Sequence, residues 1–173
     1  MFENFETLKY KLSTISLADL EGINILRSNL EIANVEGRLI DTTLEETRCY
    51  ILKILTGIAA REWFYWVIKN KNNKIIGFVS IWNLKKNQGE YAFSILPKYQ
   101  HCGVMSEVLP IIEKYAFEVL CLKKIFIYTK ESNLKANAFA LKMGYLKSGE
   151  IIENDLKGET VKMNIYYKGS FVA

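Results

Sequence analysis

Histidine, cysteine and proline are the scarce residues of this chain. A single histidine, His101, excludes a multi-histidine metal centre. The three cysteines, Cys49, Cys102 and Cys121, are odd in number and show no C-x-x-C spacing. Neither a disulfide framework nor a zinc pattern is expected, and a reducing cytoplasm fits best. Two prolines and ten glycines in 173 residues exclude collagen-like and low-complexity chains. No apolar run approaches the length of a membrane span, and the first residues, MFENFETLKYKLSTIS, contain no signal-peptide core. An excess of one charge is also missing, since 23 basic and 19 acidic residues leave a net charge of +4. The densest lysines, Lys69, Lys71 and Lys74, alternate with Asn70, Asn72 and Asn73 and read as a solvated turn. No metal, membrane or nucleic-acid partner is therefore expected.

What is present suits one domain over residues 1–173 with a full hydrophobic core. Residues 7–15 alternate apolar and polar and read as one strand. Ser16 caps a helix to about Arg27, and residues 28–40 are weakly patterned. Thr43 and Glu46 form a capping box, opening a helix that Gly57 can end. Two strands follow, over 63–68 and 74–82, joined by a hairpin, and a turn at Asn87-Gln88-Gly89 leads to a third over 90–96. An amphipathic helix begins near Val104 and contains Pro110, where a bend is expected. The strand 124–129 then runs parallel to 90–96, because a helix separates them. A helix from Asn133 to Met143 and strands at 145–153 and 160–167 complete the chain. The expected architecture is α/β (α+β), a mixed and mostly antiparallel sheet of six to seven strands with helices on both faces.

The stretch from Glu90 to Leu120 organises the rest. Pro97 stops a strand, and the loop Tyr99-Gln100-His101-Cys102-Gly103-Val104-Met105-Ser106 opens onto a helix N-terminus. The first amides of a helix have no internal partners, and the helix dipole adds positive potential there. Such a loop holds phosphates without needing a basic side chain. Gly103 lets a ligand approach the backbone, and Gln100 offers a neutral donor.

Three features in order resemble the GNAT superfamily of GCN-type N-acetyltransferases. The nearest branch is the RimJ/RimL kind of ribosomal-protein acetyltransferase, with spermidine acetyltransferases nearby. Tyr99 to Glu107 resembles the branch's Y-Q-G-K-G-[IL]-[AM]-[ST]-E loop. The segment from Asn133-Leu134-Lys135-Ala136 to Met143-Gly144-Tyr145 resembles N-x-x-[SA]-x-x-x-x-x-K-x-G-[FY]. Ile75-Ile76-Gly77-Phe78 resembles the I-G-x strand ahead of them. The likeness implies a fold with a central splayed strand pair and acetyl-CoA as co-substrate. It places the pyrophosphate on Gln100, His101, Cys102, Gly103, Val104, Met105 and Ser106, and the pantetheine arm against Phe93, Ser94 and Ile95. From the other side the arm meets Asn133, with Ala136 and Asn137 beside it. His101 and Cys102 stand where the branch has glycine and a basic residue.

Acetyl transfer to an amine needs a base, because such an amine has a pKa of about 10.4. Glu90 is the candidate, acting through water, with Asn133 the other residue assigned a catalytic part. The acid is missing from its usual places: Ala140 and Ala136 occupy the positions of the family's tyrosine and serine. Tyr128, Ser132 and Tyr145 are near in sequence. A thiolate of pKa about 8.5 also leaves tolerably unaided. The acceptor is expected to be a small-molecule or peptide amine, received by the Leu39–Thr43 loop and the Trp63–Trp66 strand unless those aromatics belong to the core. Two readings stay open, an N-acetyltransferase and a non-catalytic coenzyme A-binding module, and so does a homodimer.

Overall fold

The computed structural model describes residues 3–170. Its strands are β1 (Phe5–Glu6), β2 (Lys11–Thr14), β3 (Phe64–Lys69), β4 (Ile75–Lys85), β5 (Gln88–Ile95), β6 (Lys124–Lys130), β7 (Leu146–Asn154) and β8 (Thr160–Gly169). Its helices are α1 (Leu20–Arg27), α2 (Leu30–Glu36), α3 (Leu44–Ala59), α4 (Val104–Lys114) and α5 (Leu134–Lys142). The strands form one eight-stranded sheet in the order β1-β2-β3-β4-β5-β6-β8-β7. Only β5 and β6 pair in parallel.

The extra strand comes from the N-terminus. The expected single strand over 7–15 is broken at Thr7–Tyr10, where the Thr7 hydroxyl accepts from the amides of Lys9 and Tyr10 at 3.2 and 2.9 Å. A threonine hydroxyl competing for backbone amides closes a turn in place of a ladder. Gly57 does not end α3, which runs to Ala59. Its missing side chain instead makes room for Trp63, whose ring carbons lie 3.1–3.2 Å from where a Cβ would stand. The weakly patterned segment contains α2, capped by the Asn29 side chain at the amide of Ile32 and ended by Gly37 in a left-handed conformation. The β4–β5 turn is Lys86-Asn87, both left-handed with φ of 50° and 60°, so Gln88 and Gly89 already belong to β5. The helix α4 continues through Pro110, and its register changes later, in a π-helical turn over Tyr115–Val119.

Period-2 alternation sends the two sides of each central strand into two cores. Trp66, Ile68, Val79, Ile81, Tyr91 and Ile125 pack under Val108, Leu109 and Ile112 of α4, with Ala140 of α5 and Tyr145 joining them. On the opposite face, Tyr65 and Val67 meet Ile23 and Leu26 of α1, Ile32 of α2 and Ile51 and Ile54 of α3. Each large side chain so buried contributes about 1.5–3 kcal/mol of hydrophobic stabilisation. Among the described residues no helix is long and apolar enough to cross a membrane.

The feature that positions a site is a fork in the middle of the sheet. Parallel pairing begins at Gln88↔Lys124 and stops at Tyr91↔Ile127. Beyond it, Ala92–Ile95 pair only with β4, and Tyr128–Lys130 only with β8. Gly77 helps to draw β5 aside. A Cβ there would stand 2.4 Å from the Ser94 carbonyl and 2.5 Å from the Ile95 side chain. Two strand edges are thus left facing each other across an opening.

Candidate active site

The loop after β5 lies at the mouth of the fork. Pro97–Tyr99 form a single 3-10 turn, and Gln100, His101, Cys102 and Gly103 lead into α4. His101 and Gly103 are left-handed, with φ of 60° and 76°. Nothing lies within 4 Å of where a Cβ on Gly103 would stand. The backbone is therefore bare on that side, just where α4 turns its unpaired amides outward. His101, Cys102 and Gly103 are exposed, whereas the side chains of Val104 and Met105 are buried and anchor the helix. What they present at the start of the helix is their backbone amides. The Gln100 side chain donates to the Ile95 carbonyl at 3.1 Å, which ties the loop to the open arm of β5.

The N-terminal turn also reaches this end of α4, a contact no local pattern reveals. The Glu107 carboxylate accepts from the Thr7 hydroxyl and from the Lys9 amide at 2.9 Å, across 98 positions of sequence. The bond from Thr7 comes first among the causes that hold the Glu107 carboxyl below its usual range. Tyr10 sits close enough for burial, Glu107 and Cys102 to push its hydroxyl up.

Phe93, Ser94 and Ile95 fall on the open arm of β5, and α5 borders the other side. Phe139 of α5 packs edge-on against Phe93, with ring centres 5.5 Å apart. Asn133 caps α5, its side-chain oxygen accepting from the Ala136 amide at 3.1 Å. Asn137 is spent inside the protein. Its amide donates to the carbonyls of Lys130 and Asn133 at 3.0 and 2.7 Å, and its oxygen accepts from Asn164 and Tyr166. It locks the start of α5 onto β6 and β8, behind the cleft. Ala140 is wholly buried in the core and Tyr145 is 1% exposed.

Glu90 alternates with Tyr91 and so faces away from α4 and α5. It lines a cavity of about 170 Å³ with Asn83, Lys85, Gln88, Gly89, Phe126 and Tyr128. Burial raises the Glu90 pKa; the Asn83 amide, which donates to its carboxylate, counters, and Glu153 pushes it further up. Tyr128 follows the last residue of β6 that pairs with β5. Burial, then Glu90 and Glu153, raise its pKa, so its hydroxyl stays protonated. A half-buried carboxylate and a phenol thus share one cavity beside the fork, which suits proton acceptance and donation. Tyr128 matched no motif position, and only the strand register brings it to Glu90.

On the same face, Lys130 meets Asp155 at 2.8 Å and Lys157 meets the Asn34 side chain at 2.8 Å. These contacts join the β7–β8 hairpin tip to α2. The Leu39–Thr43 loop is held by Asp41, and of the Trp63–Trp66 strand Tyr65 and Trp66 are core residues. Among the described residues no group of three or more His, Cys, Asp or Glu side chains is placed to hold a metal ion.

A family model described as an acetyltransferase (GNAT) domain matches residues 10–146. An uncharacterized N-acetyltransferase of Bacillus subtilis (strain 168), YoaA, is 28% identical over 152 residues, covering 86% of each chain. The crystal structure of the ribosomal-protein-S5-alanine acetyltransferase from Vibrio fischeri has a TM-score of 0.87 at 23% identity over 98% of both chains. The spermidine N-acetyltransferase from Vibrio cholerae, solved with CoA and spermine, has a TM-score of 0.81 at 20% identity, covering 92% of this chain and 95% of that one. With the family match spanning most of its length, the chain belongs to the GNAT acetyltransferase family and is an acyltransferase.

Proposed function

We propose that this enzyme transfers the acetyl group of acetyl-CoA to a primary amine by direct attack on the thioester. The observation that carries the reading is the end of β5–β6 pairing at Tyr91 and Ile127, opposite a loop whose backbone is bare at Gly103. The open space at Gly103 fits the approach of a pyrophosphate to the amides of His101 to Ser106. The amide-bearing pantetheine arm would lie along Phe93, Ser94 and Ile95, with Asn133 and Ala136 on the far side. Asn137 supports that wall from behind.

Glu90 accepts the proton of the incoming ammonium through water. A raised pKa brings its basicity nearer neutrality, where a general base works best. A backbone amide near Phe93 or Ile95 stabilises the oxyanion. Tyr128 is the proton donor to the departing thiolate, a part that Ala140 and Ala136 leave open. Glu90 and Tyr128 in one cavity favour an enzyme over a non-catalytic binding module. The acceptor is a small-molecule or peptide amine, and the setting is the cytoplasm.

Acetyl-CoA consumption across amines, N-terminal peptides and polyamines tests the proposal, alongside calorimetric titration with coenzyme A. Turnover with one of these classes is expected. Binding without turnover on any of them would leave the non-catalytic module, and no binding at millimolar ligand would remove both readings.

A further inference from the structure

On the α4 and α5 side of the sheet, a charged cluster interrupts the apolar core. Lys168 of β8 lies 2.8 Å from the Glu113 carboxylate of α4. It also donates to the carbonyl of Met143, the C-cap of α5, at 3.0 Å. Its ammonium stands 5.5 Å from the centre of the Tyr145 ring. Glu113 is 8% exposed, its carboxylate interacts with the Tyr145 hydroxyl, and the Tyr91 hydroxyl is buried without a hydrogen-bond partner among the described residues. Tyr91 is the last residue of β5 still paired with β6, so the cluster borders the fork.

Stability does not explain such a cluster. Desolvating two charges offsets most of their attraction, and well-packed apolar residues of the same volume often do as well. The Tyr91 hydroxyl, buried without a partner among the described residues, adds a further cost. A lysine does something a hydrocarbon cannot: it selects two particular acceptors and fixes them in one arrangement. Here one acceptor is on α4 and the other ends α5. These two helices begin at Gly103 and Asn133. In turn α5 rests Phe139 on Phe93, which is on the open arm of β5.

We propose that Lys168 is a positioning residue for the coenzyme cleft. By joining Glu113 to the Met143 carbonyl it sets the placement of α5 against α4, and through Phe139 and Phe93 the width of the fork. The inference rests on the coenzyme A reading above. Lys168 acts through α5 and does not itself touch the coenzyme.

Calorimetric titration with coenzyme A, well below the melting transition, tests this in four proteins. Lys168→Met strands the Glu113 charge and is expected to melt lower and bind about tenfold more weakly. The double variant Glu113→Gln, Lys168→Met carries no buried charge and is expected to recover stability while its affinity stays about tenfold down. Lys168→Arg, which keeps the donor, is expected to recover most of the affinity. A double variant that regains affinity together with stability would show a purely structural lysine and overturn the proposal. Failure of the wild type to bind removes the coenzyme reading instead, and is read in the same experiment. Hydrogen exchange of the α5 amides without ligand then still judges the brace: faster exchange in the double variant supports it, and unchanged exchange overturns it.

Discussion

The side-chain amide of Gln100 donates to the carbonyl of Ile95 at 3.1 Å, so the loop that opens α4 and the open arm of β5 are fastened to each other. Where the loop goes, the arm goes.

Gln100→Ala removes this tie and leaves the Ile95 carbonyl to water. The expected loss of stability is about 1 kcal/mol, the net worth of an ordinary hydrogen bond. The expected loss of coenzyme A affinity is several-fold, since loop and arm no longer share one geometry. Denaturant melts and calorimetry separate the two. Wild-type affinity in the variant would mean the loop holds its shape without Gln100.

Gly103 has a φ of 76° and open space over its Cα. Gly103→Ala therefore meets no neighbour, and its cost is the left-handed backbone alone, about 1–2 kcal/mol. Gly103→Glu adds bulk and a negative charge at the proposed pyrophosphate seat. It is expected to abolish the thermal shift given by acetyl-CoA. A shift equal to that of the wild type would place the phosphates elsewhere.

Glu90 has a raised pKa in the folded protein because burial disfavours its charge. As the proposed base it would work only ionised, so turnover is expected to fall as pH drops through that raised value. Stability moves the other way. A carboxyl whose folded pKa exceeds its unfolded one binds protons more readily when folded, so its ionised form costs stability above that pKa and the cost disappears at lower pH. Glu90→Gln should thus be at least as stable at neutral pH, yet lose most turnover and the acid limb of the pH profile. Retained turnover with an unchanged acid limb would exclude Glu90.

Asp41 joins Arg27 through two contacts of 2.8 Å and accepts the Thr47 hydroxyl at 2.8 Å. Burial opposes its charge, but Arg27 and Thr47 outweigh it and hold its pKa below the ordinary aspartate value. A depressed carboxyl stabilises the fold above its unfolded pKa, and that contribution is lost as pH falls through the folded value. Asp41→Asn strands a largely buried guanidinium and is expected to cost about 3–5 kcal/mol at neutral pH. The deficit should begin to shrink below a pH of about 4, where the carboxyl of the unfolded chain takes up its proton, and close only below the lower folded value. Urea melts at both pH values measure it, and a pH-independent deficit would contradict the assignment.

Much of the fold was legible in residue order because its signals are local. Thr43 and Glu46 do form a capping box. Strands β3, β4 and β5 form the expected meander, and the helix between β5 and β6 dictated the parallel pair. Where local patterns erred, a distant contact or a side-chain bond had won. Thr7 turned an expected strand into a bend, with Glu107 of α4 holding it there. Gly57 stayed helical because Trp63 needs its bare face.

The sequence by itself determined the loop and the helix it opens. The order strand, proline, glycine, helix specifies outward-pointing amides whatever surrounds them, because helix ends always leave them unpaired. Only the tertiary structure decided which side chains face the opening. Asn137, assigned to the coenzyme by resemblance, is turned inward by Asn164 and Tyr166. Tyr128, which no motif marked, is brought beside Glu90 by the register of β5 on β6. Strand register and long-range hydrogen bonds depend on partners far apart in the chain, and no local pattern encodes them.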